Sequence, residues 1–340
     1  MDKYIAIVAA VVAFFITFVL GYVVIPYLRK LKFGQTILDI GPNWHKDKQG
    51  TPTMGGVMLV VGVIVALVVA FSCSALTQGS FFSELKNKAY LTRLIAGLVM
   101  ALCMCGIGFI DDYVKVVKKR NLGLTAKQKT FLQLFVSAAY LVVLAFSGMH
   151  STYIPFLGEV DIVHGIGLVF WPIALMFIYG FTNAVNLTDG LDGLASSVTL
   201  VVACAFMLAA GRLCNTSFNV FSACLAGACT GFLIWNSKPA KVFMGDTGSM
   251  FLGGMVVAIS FGINRPILLI FTGCMYLIEA LSVMLQVGYF KLTKKRLFKM
   301  APIHHHFEMC GISEQTVVLL FSAISLVGCF IALLSVIYGW

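Results

Sequence analysis

The sequence predicts an all-α polytopic membrane protein, with about ten transmembrane helices in a single domain over residues 1–340, both termini periplasmic or extracellular, and the active site at the cytoplasmic face. Three observations predict it. Of the 340 residues, 60% are hydrophobic and 11% charged, where soluble domains carry roughly 25% charged residues, and the mean hydropathy is +0.96. Apolar stretches near the ~20 residues needed to cross a bilayer recur along the whole chain. Basic residues are segregated: 18 of the 24 Lys and Arg follow odd-numbered stretches, and such residues collect in cytoplasmic loops.

In order, the expected spans are 4–28, 52–71, 89–110, 130–148, 168–185, 196–211, 218–235, 249–262, 266–290 and 316–338. The first lacks a small-residue cleavage site, so it is read as a retained helix. Pro52 near the first turn opens the second in the manner of a helix start. Span three ends on Asp111 and Asp112, and span four follows a basic segment carrying Lys127 and Lys129. The outer segment 149–167, with Pro155, Gly158, Glu159 and Asp161, is expected to form a small hairpin. Span nine holds an isolated Glu279, to which the sequence assigns no role. The six remaining basic residues, Lys3, Lys86, Lys88, Arg93, Arg212 and Arg265, lie on the opposite side or at span ends. The ten cysteines show no metal-type pairing and read as small core residues within apolar runs.

The net charge of +10 lies in loops bordering the spans. Membrane lipid headgroups and phosphorylated substrates are the natural partners there, and nucleic acid is not expected because no soluble domain exists to bind it.

Five aspartates, Asp111, Asp112, Asp189, Asp192 and Asp246, fall in or beside loops on the cytoplasmic side. Carboxylates at the hydrocarbon boundary are costly unless paired with cations, so they mark a functional site. Adjacent Asp111 and Asp112 are tolerable if a divalent cation or the neighbouring Lys115 shares the site. In NAVNLTDGLDGLA, polar Asn183, Asn186, Asp189 and Asp192 recur every third residue, and Gly190 and Gly193 imply that the helix unwinds there. GDTGS opens the eighth span, where Asp246 is either a magnesium ligand or a helix cap. APIHHHFE carries His304, His305 and His306, whose readings are phosphate or sugar contact, a structural role, or zinc. Zinc is disfavoured because adjacent positions do not converge on one ion.

Together, KQGTPTMGG, DDYVK, NAVNLTDGLDGLA, GDTGS and APIHHHFE, in this order, resemble the phospho-N-acetylmuramoyl-pentapeptide transferases, a family of the polyprenyl-phosphate N-acetylhexosamine-1-phosphate transferase superfamily. The resemblance runs from Lys48 to Glu308. It implies magnesium-dependent transfer of phospho-MurNAc-pentapeptide from its uridine diphosphate donor to undecaprenyl phosphate, giving lipid I and UMP. APIHHHFE is the stretch associated with the muramoyl-peptide branch. The resemblance implies catalytic roles for Asp111, Asp112, Asp246 and His304, with Asp246 as the metal ligand and Asp111 handling the lipid phosphate. It further implies substrate contacts at Lys48, Lys115, Lys127, Asn183, Asn186, Asp189, Asp192, Asn236, Phe243, Gln286, His305 and His306, with Phe243 stacking on uracil and Asn236 beside it. Family members are commonly homodimers. Two routes stay open, direct attack by the lipid phosphate and a covalent intermediate on an Asp, and direct attack is favoured because a monoester phosphate is largely ionised at neutral pH. The rival functions are a UDP-GlcNAc-using sibling enzyme and a cation-coupled nucleotide-sugar transporter.

Overall fold

The computed structural model describes residues 4–31, 48, 50–117 and 123–339. Lys3, Lys32, Lys46, Lys118, Lys119 and Arg120, all used above to orient the chain, lie outside the described residues. The chain runs through α1 (Ile5–Lys30), α2 (Gly56–Leu76), α3 (Ser80–Leu85), α4 (Lys88–Val117), α5 (Ala126–Phe146), the strands β1 (Ser151–Ile154) and β2 (Gly158–Asp161), α6 (Phe170–Thr188), α7 (Leu194–Arg212), α8 (Thr216–Asn236), α9 (Gly245–Gly262), α10 (Leu268–Thr272), α11 (Cys274–Thr293), α12 (Ile303–Met309) and α13 (Glu314–Tyr338).

Among the described residues, nine helices are long and apolar enough to cross a membrane: α1, α2, α4, α5, α6 with the turn before it, α7, α8, α11 and α13. The eighth expected span, α9, is not one of them. Its Gly, Ser, Thr and Asp residues lower its apolarity, and it is buried from Thr247 through Gly262 at the centre of the bundle. There it packs against α4, α6, α2 and α7, so neighbouring helices rather than lipid surround it. The ninth expected span is interrupted at Gly273, which separates α10 from α11.

Helix starts follow local chemistry. Thr125 and Gln128 form a capping box at α5, the Thr125 hydroxyl accepting from the Gln128 N–H and the Gln128 Oε1 from the Thr125 N–H. Asn215 caps α8 and Ser313 caps α13, each such cap contributing about 1 kcal/mol. Small residues then let helices cross closely. A Cβ on Gly56 would lie 2.2 Å from the Cα of Gly248, and one on Gly108 would lie 2.1 Å from the carbonyl oxygen of Asp246. These two crossings clamp the start of α9 between α2 and α4 and bring Asp246 beside Asp111 and Asp112.

The expected hairpin is present: β1 and β2 pair antiparallel with Ser151 opposite Asp161. The Tyr153 hydroxyl donates to the carbonyl of Gly339 at 2.6 Å, and the Arg265 guanidinium lies 3.6 Å from the Tyr153 ring centroid. This end of the bundle is opposite the one bearing the aspartates. Of the cysteines, Cys224, Cys229 and Cys329 are buried as expected, but Cys103, Cys214 and Cys310 are exposed. Cys103 lies on a face of α4 that is exposed among the described residues, together with Ile95 and Val99.

Candidate active site

Two acidic residues share two lysines at the α4–α9 crossing. Lys115 Nζ is 2.6 Å from Asp111 Oδ2 and 3.0 Å from Asp246 Oδ2. Lys129 Nζ, from α5, is 2.8 Å from Asp246 Oδ2 and 3.8 Å from Asp111 Oδ2. Asp111 Oδ1 also accepts the Leu124 N–H at 2.7 Å, which fixes the approach to α5 and hence Lys129. Asp246 Oδ1 accepts from the Asn186 amide at 2.9 Å, and that amide also donates to Ser249 Oγ at 2.8 Å. Asp112, one residue on from Asp111 and so about 100° around the helix, turns away from the lysines. Its carboxylate accepts from the backbone N–H of Thr247 and Asp246. Asp246 therefore does not cap its own helix; Asp112 does.

The 189–193 turn unwinds between α6 and α7 as the glycines imply, with Gly193 at φ +79° just before α7. Burial first, and then the charges of Asp246, Asp112 and Asp192, push the Asp189 carboxyl well above the usual carboxylate range. Among the described residues no basic side chain pairs with it. Asp192 is different: Lys48 Nζ is 2.7 Å from its Oδ1 and 2.5 Å from Glu314 Oε1, while Lys238 Nζ is 2.9 Å from Glu314 Oε2. Glu314 Oε1 also accepts the Asp192 N–H at 2.7 Å. Hydrogen bonding to Glu314 holds Lys238 above its ordinary range.

Asn236 lies beside this turn, but its amide is engaged with backbone on both sides, accepting from the Gly193 N–H and donating to the Val242 carbonyl. Phe243 is half-buried, its ring free of stacking partners among the described residues, and its N–H and C=O are tied to Pro52 and Gly55. Asn183 faces α5, exchanging amide hydrogen bonds with Gln133. Gln286 accepts the Phe298 N–H at 2.8 Å and so holds the loop that leads to the histidines. His304, His305 and His306 point in three directions on the seven-residue α12, toward Glu279, Glu308 and the Lys299 backbone respectively. This is the expected failure of adjacent positions to converge on one ion.

The structure gathers Asp111, Asp112, Asp246, Lys115, Asn186 and Asp189 in one group, and Lys48, Asp192 and Asn236 in an adjoining one. It does not bring Lys127 in: that side chain is exposed on α5, and Lys129, two residues on and so on the other side of the helix, takes the place beside the acids. Sequence reasoning missed Lys129, Glu314 and Ser249 as neighbours of these groups. Lys129 was legible from the capping box, which sets the phase of α5. Glu314 carried no signal beyond being an acid in the first turn of a helix.

Among the described residues, no three His, Cys, Asp or Glu side chains converge closely enough to enclose a metal. Magnesium does not require that, because it keeps several waters and uses one or two carboxylates with substrate phosphates. Asp189, beside Asp246 and without a basic partner among the described residues, fits such an ion.

A family model described as "Glycosyl transferase family 4" matches residues 94–264. A model described as "Phospho-N-acetylmuramoyl-pentapeptide-transferase signature 1" matches residues 48–60. Proteins named phospho-N-acetylmuramoyl-pentapeptide-transferase are similar throughout. The one from Clostridioides difficile strain 630 is 46% identical over 96% of each chain. Its counterpart from Caldicellulosiruptor bescii is 42% identical over 96% of each, and that from Bacillus thuringiensis strain Al Hakam is 43% identical over 98% of this chain and 97% of the relative. With relatives this similar over nearly the whole length, and with its aspartates and lysines converging at one end of a helical bundle, the chain belongs to the phospho-N-acetylmuramoyl-pentapeptide transferase family.

Proposed function

We propose that this chain is a single-domain enzyme of the bacterial cytoplasmic membrane that transfers phospho-MurNAc-pentapeptide from UDP-MurNAc-pentapeptide to undecaprenyl phosphate, giving lipid I and UMP. The observation that carries the reading is the group of Asp111, Asp246, Lys115 and Lys129 beside Asp189, which pairs with no basic side chain among the described residues. A site that joins a diphosphate to a monophosphate must offset negative charge on donor, acceptor and transition state. The segregation of basic residues supports placing this end at the cytoplasmic face with both termini outside. A homodimer is part of the same reading, by analogy with the family.

Asp246 and Asp189 would hold magnesium. Magnesium held by these residues would supply positive charge to offset that of the phosphates. Lys115 and Lys129 hold two ammonium groups where the donor and acceptor phosphates meet. Asp111 is set to accept at Oδ2 any proton the acceptor phosphate still carries. An acceptor oxygen then bonds to the sugar-bearing phosphorus as the bond to the UMP oxygen breaks and UMP leaves. Direct attack is favoured over a covalent intermediate on an aspartate. The ground is the acceptor itself, because a monoester phosphate is largely ionised at neutral pH and needs no covalent relay. Lys48, paired with Asp192, marks the 189–193 turn as the place where the nucleotide would lie, with Phe243 to stack on its base.

The test is UMP release and lipid-product formation by purified protein given UDP-MurNAc-pentapeptide, undecaprenyl phosphate and magnesium, with UDP-GlcNAc and Asp246→Asn in parallel. Magnesium-dependent product from the muramoyl donor, lost in Asp246→Asn, supports the reading. Turnover only with UDP-GlcNAc would replace it with the sibling activity, and no turnover with either donor would leave transport as the better reading.

A further inference from the structure

Glu279 is fully buried on α11, and its Oε1 lies 3.0 Å from Nδ1 of His304, itself 1% exposed. A carboxylate inside a membrane-crossing helix is costly unless paired, and α12 supplies the pair. The contact leaves two polar atoms over. His304 Nε2 and Glu279 Oε2 are both buried, and among the described residues neither has a hydrogen-bond partner. Nε2 is aimed at the 189–193 turn, where a Cβ added to Gly190 would come within 2.2 Å of it.

Buried polar atoms are almost always satisfied, and leaving one unpaired opposes folding. A histidine that served only to fasten α12 to α11 would use its second nitrogen locally or turn it to water. Here that nitrogen lies buried in a slot beside the turn that carries Asp189, with no hydrogen-bond partner among the described residues. The neighbouring histidines are differently engaged: His305 Nδ1 meets Glu308 Oε2 at 2.7 Å, and His306 Nδ1 accepts the Lys299 N–H at 3.1 Å.

We propose that Glu279 is a positioning residue for the transfer reaction, holding the His304 ring through Nδ1 so that Nε2–H donates to a phosphate oxygen of the donor at the 189–193 turn. The proposal rests on the function proposed above. A carboxylate behind a histidine fixes its orientation. With Nδ1 held by Glu279, Nε2 is the ring nitrogen left for substrate, and hydrogen bonds to phosphate are among the stronger ones.

The test is a double-mutant cycle on the full-length protein with muramoyl donor and lipid acceptor, comparing the parent, Glu279→Gln, His304→Gln and the double variant for kcat, KM and melting temperature. Glu279→Gln should lower kcat by at least ~10-fold, the scale seen when a group orienting a functional histidine is removed, with KM for the lipid acceptor within about twofold. Added to His304→Gln, it should cost less than about twofold more, because residues acting through one another are not additive. Glu279→Asp should recover part of the loss and carries the cycle if Glu279→Gln lacks a cooperative melt. Parental kcat in Glu279→Gln, or the same factor lost in the His304→Gln background, overturns the positioning role. The ring ¹⁵N shifts of His304 read the contact without turnover. They must move in Glu279→Gln, and unchanged shifts overturn the inference even in an inactive protein, whose inactivity speaks only against the function proposed above.

Discussion

The carboxylate of Asp112, near the C-terminal end of α4, accepts hydrogen bonds from the backbone N–H of Thr247 at 2.9 Å, from that of Asp246 at 3.2 Å and from the Thr247 hydroxyl at 2.7 Å. The first turn of α9 has no side-chain cap of its own, so its free N–H groups depend on a residue from another helix. Asp112 thereby fixes the residue proposed to hold the metal. Asp112→Ala should remove about 0.5–2 kcal/mol of capping and lower the melting temperature. It should also reduce kcat by ~100-fold, the cost of about 1 Å of misplacement at a reacting centre. Turnover near the parental value with a lowered melting temperature would show that Asp246 keeps its place without the cap.

Lys127 and Lys129 differ by two positions and by just over half a turn of helix. Lys129 touches Asp246, and Lys127 is exposed. Lys129→Ala should cut kcat by roughly 100- to 1,000-fold, the range for deleting one group that stabilises developing charge. Lys127→Ala should stay within about twofold, as exposed charges away from partners generally do. Parallel turnover measurements check the pair, and equal losses would mean that donor binding draws Lys127 inward.

The fold and the acidic half of the site were legible because both depend on local signals. Apolar length gave the spans, and the glycines at 190 and 193 marked the break between α6 and α7. The eighth span forms as the helix α9; it is less apolar than the nine others because it is surrounded by protein, where Gly248 and Thr247 serve close packing and hydrogen bonding. Long-range pairings were not legible. Nothing in the sequence around Glu314 or Glu279 reports that one meets Lys48 and the other His304, across 266 and 25 positions respectively. Asn236, which the family resemblance places beside the base, has an amide that ties the Gly193 turn to the loop before α9, a pairing no local signal announces.

Glu314 neutralises Lys48 together with Asp192 and accepts the Asp192 N–H. Removing it leaves a partly buried ammonium with one partner and a backbone donor with none. Glu314→Ala should therefore disturb the nucleotide end of the site more than the phosphates. KM for the UDP donor should rise by about tenfold, some 1.4 kcal/mol of binding, with kcat changed by less than about threefold. A pure kcat effect would place Lys48 in the chemistry rather than in donor binding.

Asp189 supplies a pH test of the metal reading. Its folded carboxyl is raised well above the ordinary 3.8, by burial and then by Asp246, Asp112 and Asp192. With no cation bound, the folded protein keeps a proton that the unfolded chain releases. The associated stability is fully present below pH 3.8 and is lost as pH rises from there through the folded value. Magnesium prefers the ionised carboxylate, so binding must expel this proton, and affinity must climb with pH across the same window. Calorimetric titration with magnesium chloride at mildly acidic pH, in two buffers of different ionisation enthalpy, should give different heats for the parent protein and equal heats for Asp189→Asn. Equal heats in the parent would remove Asp189 from the metal site and leave Asp246 to hold the ion with substrate phosphates alone.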